Sequence, residues 1–323
     1  MKLEKIYLYD DRTDVYLDAI LPDFDPGVFS RDKSPAMIVV PGGGFITCDA
    51  GGEGEPAAIE FANAGYKAFV LHYSAAMTAG EYGCRFPVTL LELGKAVLKI
   101  RERAEEWNID TDRICLTGFS AGGNVVGLYA TRWHEEFVSE ALGADSKDLK
   151  PFAAVLIYSL LDYKSQFEYE QKWITNPMIG GTVAYLGSAE PDEETLKQAS
   201  PCYHVTRKTV PIFMVQASDD KIVQTFNSLN MAAALSKKRV PYELHMFSKG
   251  GHGFGIGQEM GESFHKLNRR LQANHWVEMA EEWLLKLMIP EIQDRVLTDP
   301  GFFDNKNMDI PPFAQMMGVQ ADK

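Results

Sequence analysis

Continuous apolar runs alternate with amphipathic stretches along most of this chain. The runs at residues 36–40, 153–158 and 210–218 are rich in Val, Ile and Ala, which is typical of strands buried on both faces of a sheet. Residues Glu55 to Ala64 end at a glycine, a common helix terminus, and Val88 to Trp107 places apolar residues at helical spacing. This alternation predicts an α/β fold, with a mostly parallel central sheet and helices on both faces.

Three parts of the chain depart from the alternation. The segments up to about Leu21 predict antiparallel edge strands, and residues 162–200 interrupt the pattern. After a last predicted core helix, residues 290–323 combine several prolines with Phe and Met. We therefore predict a catalytic domain at 1–289 and a C-terminal extension at 290–323. The extension is too apolar for a plain disordered tail, and the sequence leaves open whether it packs on its own domain, near a pocket mouth or on another subunit of a homo-oligomer.

Composition and charge argue against several classes of binding partner. The chain has 323 residues, 46% apolar and 24% charged, within the range of a globular domain with a large core. A net charge of −13 and a pI near 5.1 argue against nucleic acid and anionic membranes as partners. No apolar run is long enough to cross a membrane, and no signal-peptide pattern opens the sequence. We therefore expect a cytoplasmic protein.

Cysteine and histidine spacing does not indicate a metal site. The four cysteines have no C-x-x-C spacing, and the histidines show no H-x-x-x-H pattern. We expect no disulfide framework, no metal and no cofactor.

The stretch Gly118 to Gly122, Gly-Phe-Ser-Ala-Gly, is the strongest chemical signal. It lies between a β-type run and a segment that predicts a helix. In this context the G-x-S-x-G pattern is typical of a nucleophile elbow, where glycines permit a tight turn that exposes the serine oxygen. Ser120 is therefore the candidate nucleophile.

Candidate partners follow two later predicted strands. Asp219 and Asp220 come directly after the strand at 210–218, and His252 lies in a glycine-rich loop after the strand at 242–247. The order Ser, Asp, His, each after a strand, is that of α/β-hydrolases. Position after the strand does not separate Asp219 from Asp220.

A third glycine-rich segment follows the early strand at 36–40. Gly42, Gly43 and Gly44 lack side chains that would obstruct backbone N–H groups. We predict that these N–H groups, together with that of Ala121, form an oxyanion hole.

These motifs together resemble an α/β-hydrolase of the esterase/lipase group, nearest the xylan-esterase-like or feruloyl-esterase-like (BD-FAE-like) branch. The resemblance covers residues from about 3 to about 288, although Pro41 and Gln216 stand where histidine is common. The matching stretches are Pro41 to Phe45, Gly52 to Pro56, Gly65 to Ser74, Ile109 to Ile114, Gly118 to Gly123, Ser200-Pro201, Ala217 to Val223 and Lys249 to Gly253.

The resemblance implies roles for further residues. Its acid usually lies in a D-x-x-V pattern, which Asp220 to Val223 fits and Asp219 does not; Asp219 is then free to accept backbone N–H bonds. The segment 162–200 corresponds to a lid-like insertion. Phe45, Trp173 and Met178 are the candidate pocket residues, with ordinary packing as the alternative for Trp173 and Met178.

The predicted function is that of a serine carboxylesterase. The expected substrates are short-chain, acetyl-type esters, including acetylated sugars by analogy with the branch. An amidase, formamidase or peptidase on the same fold is the alternative. A non-catalytic binding protein is disfavoured because none of the three triad residue types is missing.

Overall fold

A twisted sheet of eight strands runs through the residues that this computed structural model describes, 1–23, 33–172, 178–257 and 272–288. Along the sheet the strands occur in the order β1-β2-β4-β3-β5-β6-β7-β8. Their bounds are β1 Lys2–Tyr7, β2 Tyr16–Leu21, β3 Ser34–Val40, β4 Lys67–His72, β5 Ile109–Phe119, β6 Ala154–Ile157, β7 Ile212–Ala217 and β8 Tyr242–Phe247.

The strand directions confirm the predicted, mostly parallel sheet. β1 pairs with β2, and β2 with β4, in antiparallel register, so the first two strands form one antiparallel edge as expected. All pairs from β4 through β8 are parallel. Every residue of β6 and β7 is buried, because parallel strands are covered by helices on both faces.

Helices connect the strands and cover the sheet. Their bounds are α1 Glu55–Asn63, α2 Val88–Glu102, α3 Ala104–Trp107, α4 Ser120–Arg132, α5 Glu136–Leu142, α6 Ser146–Leu149, α7 Tyr163–Glu170, α8 Ile179–Leu186, α9 Glu193–Gln198, α10 Phe226–Lys238 and α11 Trp276–Met288. Within the described ranges, none of these helices has the length and apolar character required to cross a bilayer.

The single helix predicted from Val88 to Trp107 is interrupted. Arg103 leaves the helical conformation, with φ −103° and ψ 15°, and separates α2 from α3. Its guanidinium contacts Glu4 at 2.5 Å and Glu106 at 2.6 Å, which ties this corner to the edge strand β1. Trp107 is buried.

Contacts divide the chain into two compact units, Met1–Glu281 and Glu282–Lys323. The sheet and the helices up to α10 belong to the first. Of the second, only residues 282–288 are described, so the predicted extension at 290–323 lies outside the described residues.

The carboxyl ends of the parallel strands meet at one edge of the sheet. The Gly42–Gly44 loop follows β3, Ser120 follows β5, Asp220 follows β7 and His252 follows β8. Since parallel strands all end on the same side, the topology brings these segments together, and this edge is where open α/β sheets bind ligands.

Candidate active site

Ser120 occupies the sharp turn between β5 and α4. Its φ of 48° is in the left-handed region that L-residues rarely adopt. A Cβ on Gly118 would lie 2.7 Å from the carbonyl oxygen of Gly122, and one on Gly122 would overlap the carbonyl of Pro41. Both glycines are therefore required by close backbone approach, as the elbow motif predicts.

His252 connects the serine to a carboxylate. Its Nε2 lies 2.9 Å from Ser120 Oγ, and its Nδ1 lies 2.8 Å from Asp220 Oδ2. A carboxylate only accepts hydrogen bonds, so Nδ1 carries a proton. In its neutral form the ring therefore presents an unprotonated Nε2 to the serine hydroxyl. The three side chains form one continuous hydrogen-bonded line.

Asp220 is held rigidly from several sides. Its Oδ1 accepts the N–H groups of Ile222 at 2.8 Å and Val223 at 3.0 Å, and its Oδ2 accepts Nε2 of Gln216 at 3.0 Å. The side chain is fully buried. Gln216, which replaces a common histidine of the branch, thus orients the carboxylate that contacts His252.

Asp219 has a different environment. Its Oδ1 accepts the N–H groups of Gly250 at 3.0 Å and Gly251 at 2.8 Å, next to His252 in the chain. Burial alone raises the pKa of the Asp219 carboxyl, but these hydrogen bonds and the charge of Lys249 outweigh it and leave the pKa below its ordinary value. Asp219 thus holds the glycine-rich segment 248–255 that carries His252, the histidine loop. Among the described residues, the imidazole is hydrogen-bonded to Asp220 and not to Asp219.

The glycine loop differs in one detail from the prediction. The N–H of Gly42 donates to Glu53 Oε2 at 2.6 Å, so Gly42 has no free donor for an oxyanion, and its inclusion in the predicted hole is wrong. Among the described residues, no hydrogen bond occupies the N–H groups of Gly43 and Gly44. The N–H of Ala121 lies in the first turn of α4, where helices have no internal acceptor.

The insertion lies against this loop. The ring of Phe45 stacks on that of Tyr185 in α8, with centroids 3.8 Å apart and an interplanar angle of 3°. The Cε of Met178 is 3.7 Å from the position that a Cβ on Gly44 would take. Phe45 and Met178 therefore border the predicted oxyanion loop, whereas Trp173 lies outside the described residues.

Two residues near the site carried no predicted role. Glu53 is buried and contacts both Gly42 and the Tyr158 hydroxyl, the latter at 2.8 Å. Tyr158 follows β6, and its ring meets that of His252 edge-on at 5.0 Å. Tyr158 could have been identified from the sequence, because it lies at the carboxyl end of the strand β6, next to β5, where the residues of such a site are expected. Glu53 lies in the stretch Gly52 to Pro56, which matches the branch. That match assigns no role to its carboxylate, and an acidic residue between glycines predicts an exposed turn.

The described residues contain no cluster of three His, Cys, Asp or Glu side chains placed to hold a metal ion. The four cysteines are free thiols. What the geometry offers is nucleophilic chemistry by a serine with an adjacent base and an oriented carboxylate.

Comparison with known proteins identifies the family of this chain. The family model described as BD-FAE matches residues 26–235, well over half of the chain. The chain belongs to the BD-FAE family. A relative of this BD-FAE protein, endo-1,4-beta-xylanase B from Butyrivibrio fibrisolvens, is 31% identical over 227 residues, or 70% of this chain and 33% of the relative. The chain thus spans about a third of that relative's length.

Two solved structures show the same architecture. The acetyl ester-xyloside bifunctional hydrolase from Caldicellulosiruptor lactoaceticus is 27% identical, with a TM-score of 0.70 over 88% of this chain and 96% of that one. The carboxylesterase Cest-2923 from Lactobacillus plantarum WCFS1 is 26% identical, with a TM-score of 0.72 over 88% and 98%. They confirm the α/β-hydrolase fold predicted for this BD-FAE protein, and with it the family resemblance.

Proposed function

We propose that this protein is a serine carboxylesterase that works through an acyl-enzyme intermediate. The observation that carries the proposal is the unbroken line from Ser120 through His252 to Asp220, with links of 2.9 Å and 2.8 Å. Such a line activates a hydroxyl that is otherwise a weak nucleophile. The family membership and the carboxylesterase among the structural neighbours support the same reaction class.

In the first half-reaction, His252 Nε2 takes the proton of Ser120 as its oxygen attacks the ester carbonyl. Asp220 accepts from Nδ1 and stabilises the imidazolium that forms. When the tetrahedral intermediate collapses, His252 returns the proton to the leaving alcohol. Ser120 is left as an acyl ester, and the freed alcohol departs.

The negative charge of the tetrahedral intermediate needs fixed donors. We assign this role to the N–H groups of Gly43, Gly44 and Ala121, which are uncommitted among the described residues. Such donors are typically worth about 3–4 kcal/mol each in the transition state. In the second half-reaction, His252 deprotonates a water molecule, which attacks the acyl group. As the acyl bond to Ser120 breaks and the acid is released, His252 returns that proton to the serine oxygen.

For the substrate, we propose short-chain esters of the acetyl type, with acetylated sugars as the natural class. Support comes from a structural neighbour that is named an acetyl ester-xyloside hydrolase. Phe45 and Met178 lie beside the loop, and apolar groups there suit a small acyl methyl group.

The test is a panel of p-nitrophenyl esters of increasing acyl length, assayed beside an anilide, a formamide and an acetylated xylo-oligosaccharide. We expect the highest kcat/KM on acetyl and other short esters. We expect Ser120→Ala to lose on the order of 10⁴-fold in kcat without loss of fold. If the formamide or the anilide were turned over faster than the esters, the proposed function would change from esterase to amidase. Turnover unaffected by Ser120→Ala would overturn the proposal.

A further inference from the structure

A buried carboxylate joins the two loops that flank the candidate nucleophile. Glu53 lies in the short turn before α1 and is 8% exposed. Its Oε2 accepts the N–H of Gly42 in the glycine loop at 2.6 Å. Its Oε1 accepts the hydroxyl of Tyr158 at 2.8 Å, and that hydroxyl in turn accepts the N–H of Gly255, in the histidine loop, at 3.1 Å.

The hydrogen-bond directions define what this position needs. The N–H groups of Gly42 and Gly255 can only donate hydrogen bonds. The Tyr158 hydroxyl accepts from Gly255, so its single proton points at Glu53. Both carboxylate oxygens therefore act as acceptors. Burial raises the pKa of Glu53, while the hydrogen bonds from Gly42 and Tyr158 oppose the rise. An amide in place of the carboxyl would present an NH₂ group to one of two donors.

Tyr158 is held in a costly conformation at this point. Its φ is 39°, and it directly follows β6. For a bulky residue such a backbone is a clear outlier, which persists only where the surroundings enforce it. The ring is fully buried and packs edge-on against His252 at 5.0 Å and Phe254 at 4.6 Å. Strain of this kind is concentrated at functional sites.

We propose that Glu53 and Tyr158 are positioning residues that fix the glycine loop and the histidine loop relative to each other around Ser120. This inference rests on the proposed esterase function. Glu53 fixes Gly42, and thereby the N–H groups of Gly43 and Gly44 that follow it. Tyr158 fixes Gly255 through its hydroxyl and packs edge-on against the His252 ring. Neither residue touches the substrate.

The first test is Glu53→Gln, which keeps the size of the side chain. Its NH₂ group would face one of the two groups that now donate to the carboxylate, the Gly42 N–H or the Tyr158 hydroxyl. The two loops would shift apart, and a misplacement of about 1 Å at reacting groups costs on the order of 100-fold. We expect kcat for p-nitrophenyl acetate, per titrated active site, to fall about 10- to 100-fold while KM changes little, since the donors act in the transition state.

The second test is Tyr158→Phe, which leaves the ring against His252 and removes the bridge to Gly255. Tyr129→Phe is the matched control, because the Tyr129 hydroxyl is equally buried and donates to the Leu149 carbonyl at 2.7 Å, away from the site. Each variant loses one buried hydroxyl, so both should melt at a lower temperature than the wild type. The fall should be larger for Tyr158→Phe, because the Tyr158 hydroxyl makes two hydrogen bonds and the Tyr129 hydroxyl makes one. Only Tyr158→Phe should lower kcat.

The outcomes separate this inference from the function on which it rests. Wild-type turnover far above that of Ser120→Ala supports the esterase. With that established, folded Glu53→Gln and Tyr158→Phe proteins that keep wild-type kcat would overturn the positioning role alone. A loss of kcat in Tyr129→Phe equal to that in Tyr158→Phe would also overturn it, by showing a general effect of stability. A wild-type protein no more active than Ser120→Ala would overturn both.

Discussion

At the scale of single residues, backbone strain is concentrated around the candidate site. Five non-glycine residues of the described chain have positive φ. Two of them, Asn108 and Arg239, are ordinary left-handed helix C-caps. The other three, Phe45, Ser120 and Tyr158, border the glycine loop, the elbow and the histidine ring. Each such conformation costs of order 1–3 kcal/mol, so the surrounding packing holds the site in a shape that the local sequence disfavours.

The neighbouring acids Asp219 and Asp220 allow a direct test of roles. We predict that Asp220→Asn lowers kcat by about 10⁴-fold, because an amide beside His252 favours the wrong ring tautomer. Asp219→Asn keeps an oxygen that can accept from Gly250 and Gly251, so it should cost at most about 1 kcal/mol in stability and leave kcat close to that of the wild type. Steady-state kinetics and thermal melts of both variants provide the comparison. An inactive Asp219→Asn protein beside an active Asp220→Asn protein would reverse the assignment.

The residue types at the site were predictable from sequence, but not all of their contacts. Ser120, Asp220 and His252 each follow a recognisable strand in a characteristic order, so their proximity follows from topology. The bond from Gly42 to Glu53 could not be predicted, because it depends on a polar side chain folding inward, against the usual preference of Glu for the surface.

At the scale of elements, one helix of the insertion packs directly on the glycine loop. α8 approaches so closely that a Cβ on Gly181 would overlap the carbonyl oxygen of Gly44. The stacked rings of Phe45 and Tyr185 fix the same contact further along the helix. Both ends of the insertion are also tied to the nucleophile helix, because the Asn124 amide donates to the carbonyls of Leu160 and Ala199, each at 2.8 Å.

Adjacent glycines of α8 provide a matched pair for testing this contact. Alanine at either position should favour the helix by about 0.5–1 kcal/mol. At Gly180 the new Cβ would meet only Ile46 Cδ1, at 3.5 Å, so Gly180→Ala should retain activity and stability. At Gly181 it must displace the Gly44 carbonyl, so we predict that Gly181→Ala lowers kcat/KM at least about 10-fold. Kinetics on the shortest ester that is turned over would show this difference, and equal activity in the two variants would contradict it.

Elements buried on both faces were predicted better than elements fixed by distant contacts. The runs that became β3, β6 and β7 are continuously apolar, and this signal is local. The break between α2 and α3 has no such local signal. It lies at Arg103, whose guanidinium pairs with Glu106 and with the distant Glu4. Apolar spacing continues through the break, so the pattern predicted one helix.

At the scale of the whole molecule, the described chain offers a complete set of groups for acyl transfer without a metal or disulfide. Its cysteines are unpaired, and its acidic and histidine side chains do not cluster as metal ligands within the described ranges. We predict that ester hydrolysis survives both EDTA and a thiol reductant. Assays before and after extended dialysis against each reagent would show this. A large loss on chelation that zinc restores would reveal a metal site.

The central claim is that Ser120 is a nucleophile activated by His252. The most direct measurement is covalent labelling with a fluorophosphonate, followed by mass spectrometry of the intact protein and of its peptides. We predict one label per molecule, carried by the peptide that contains Ser120, absent in Ser120→Ala and formed orders of magnitude more slowly in His252→Ala. A label on another residue, or labelling of His252→Ala at the wild-type rate, would contradict the account.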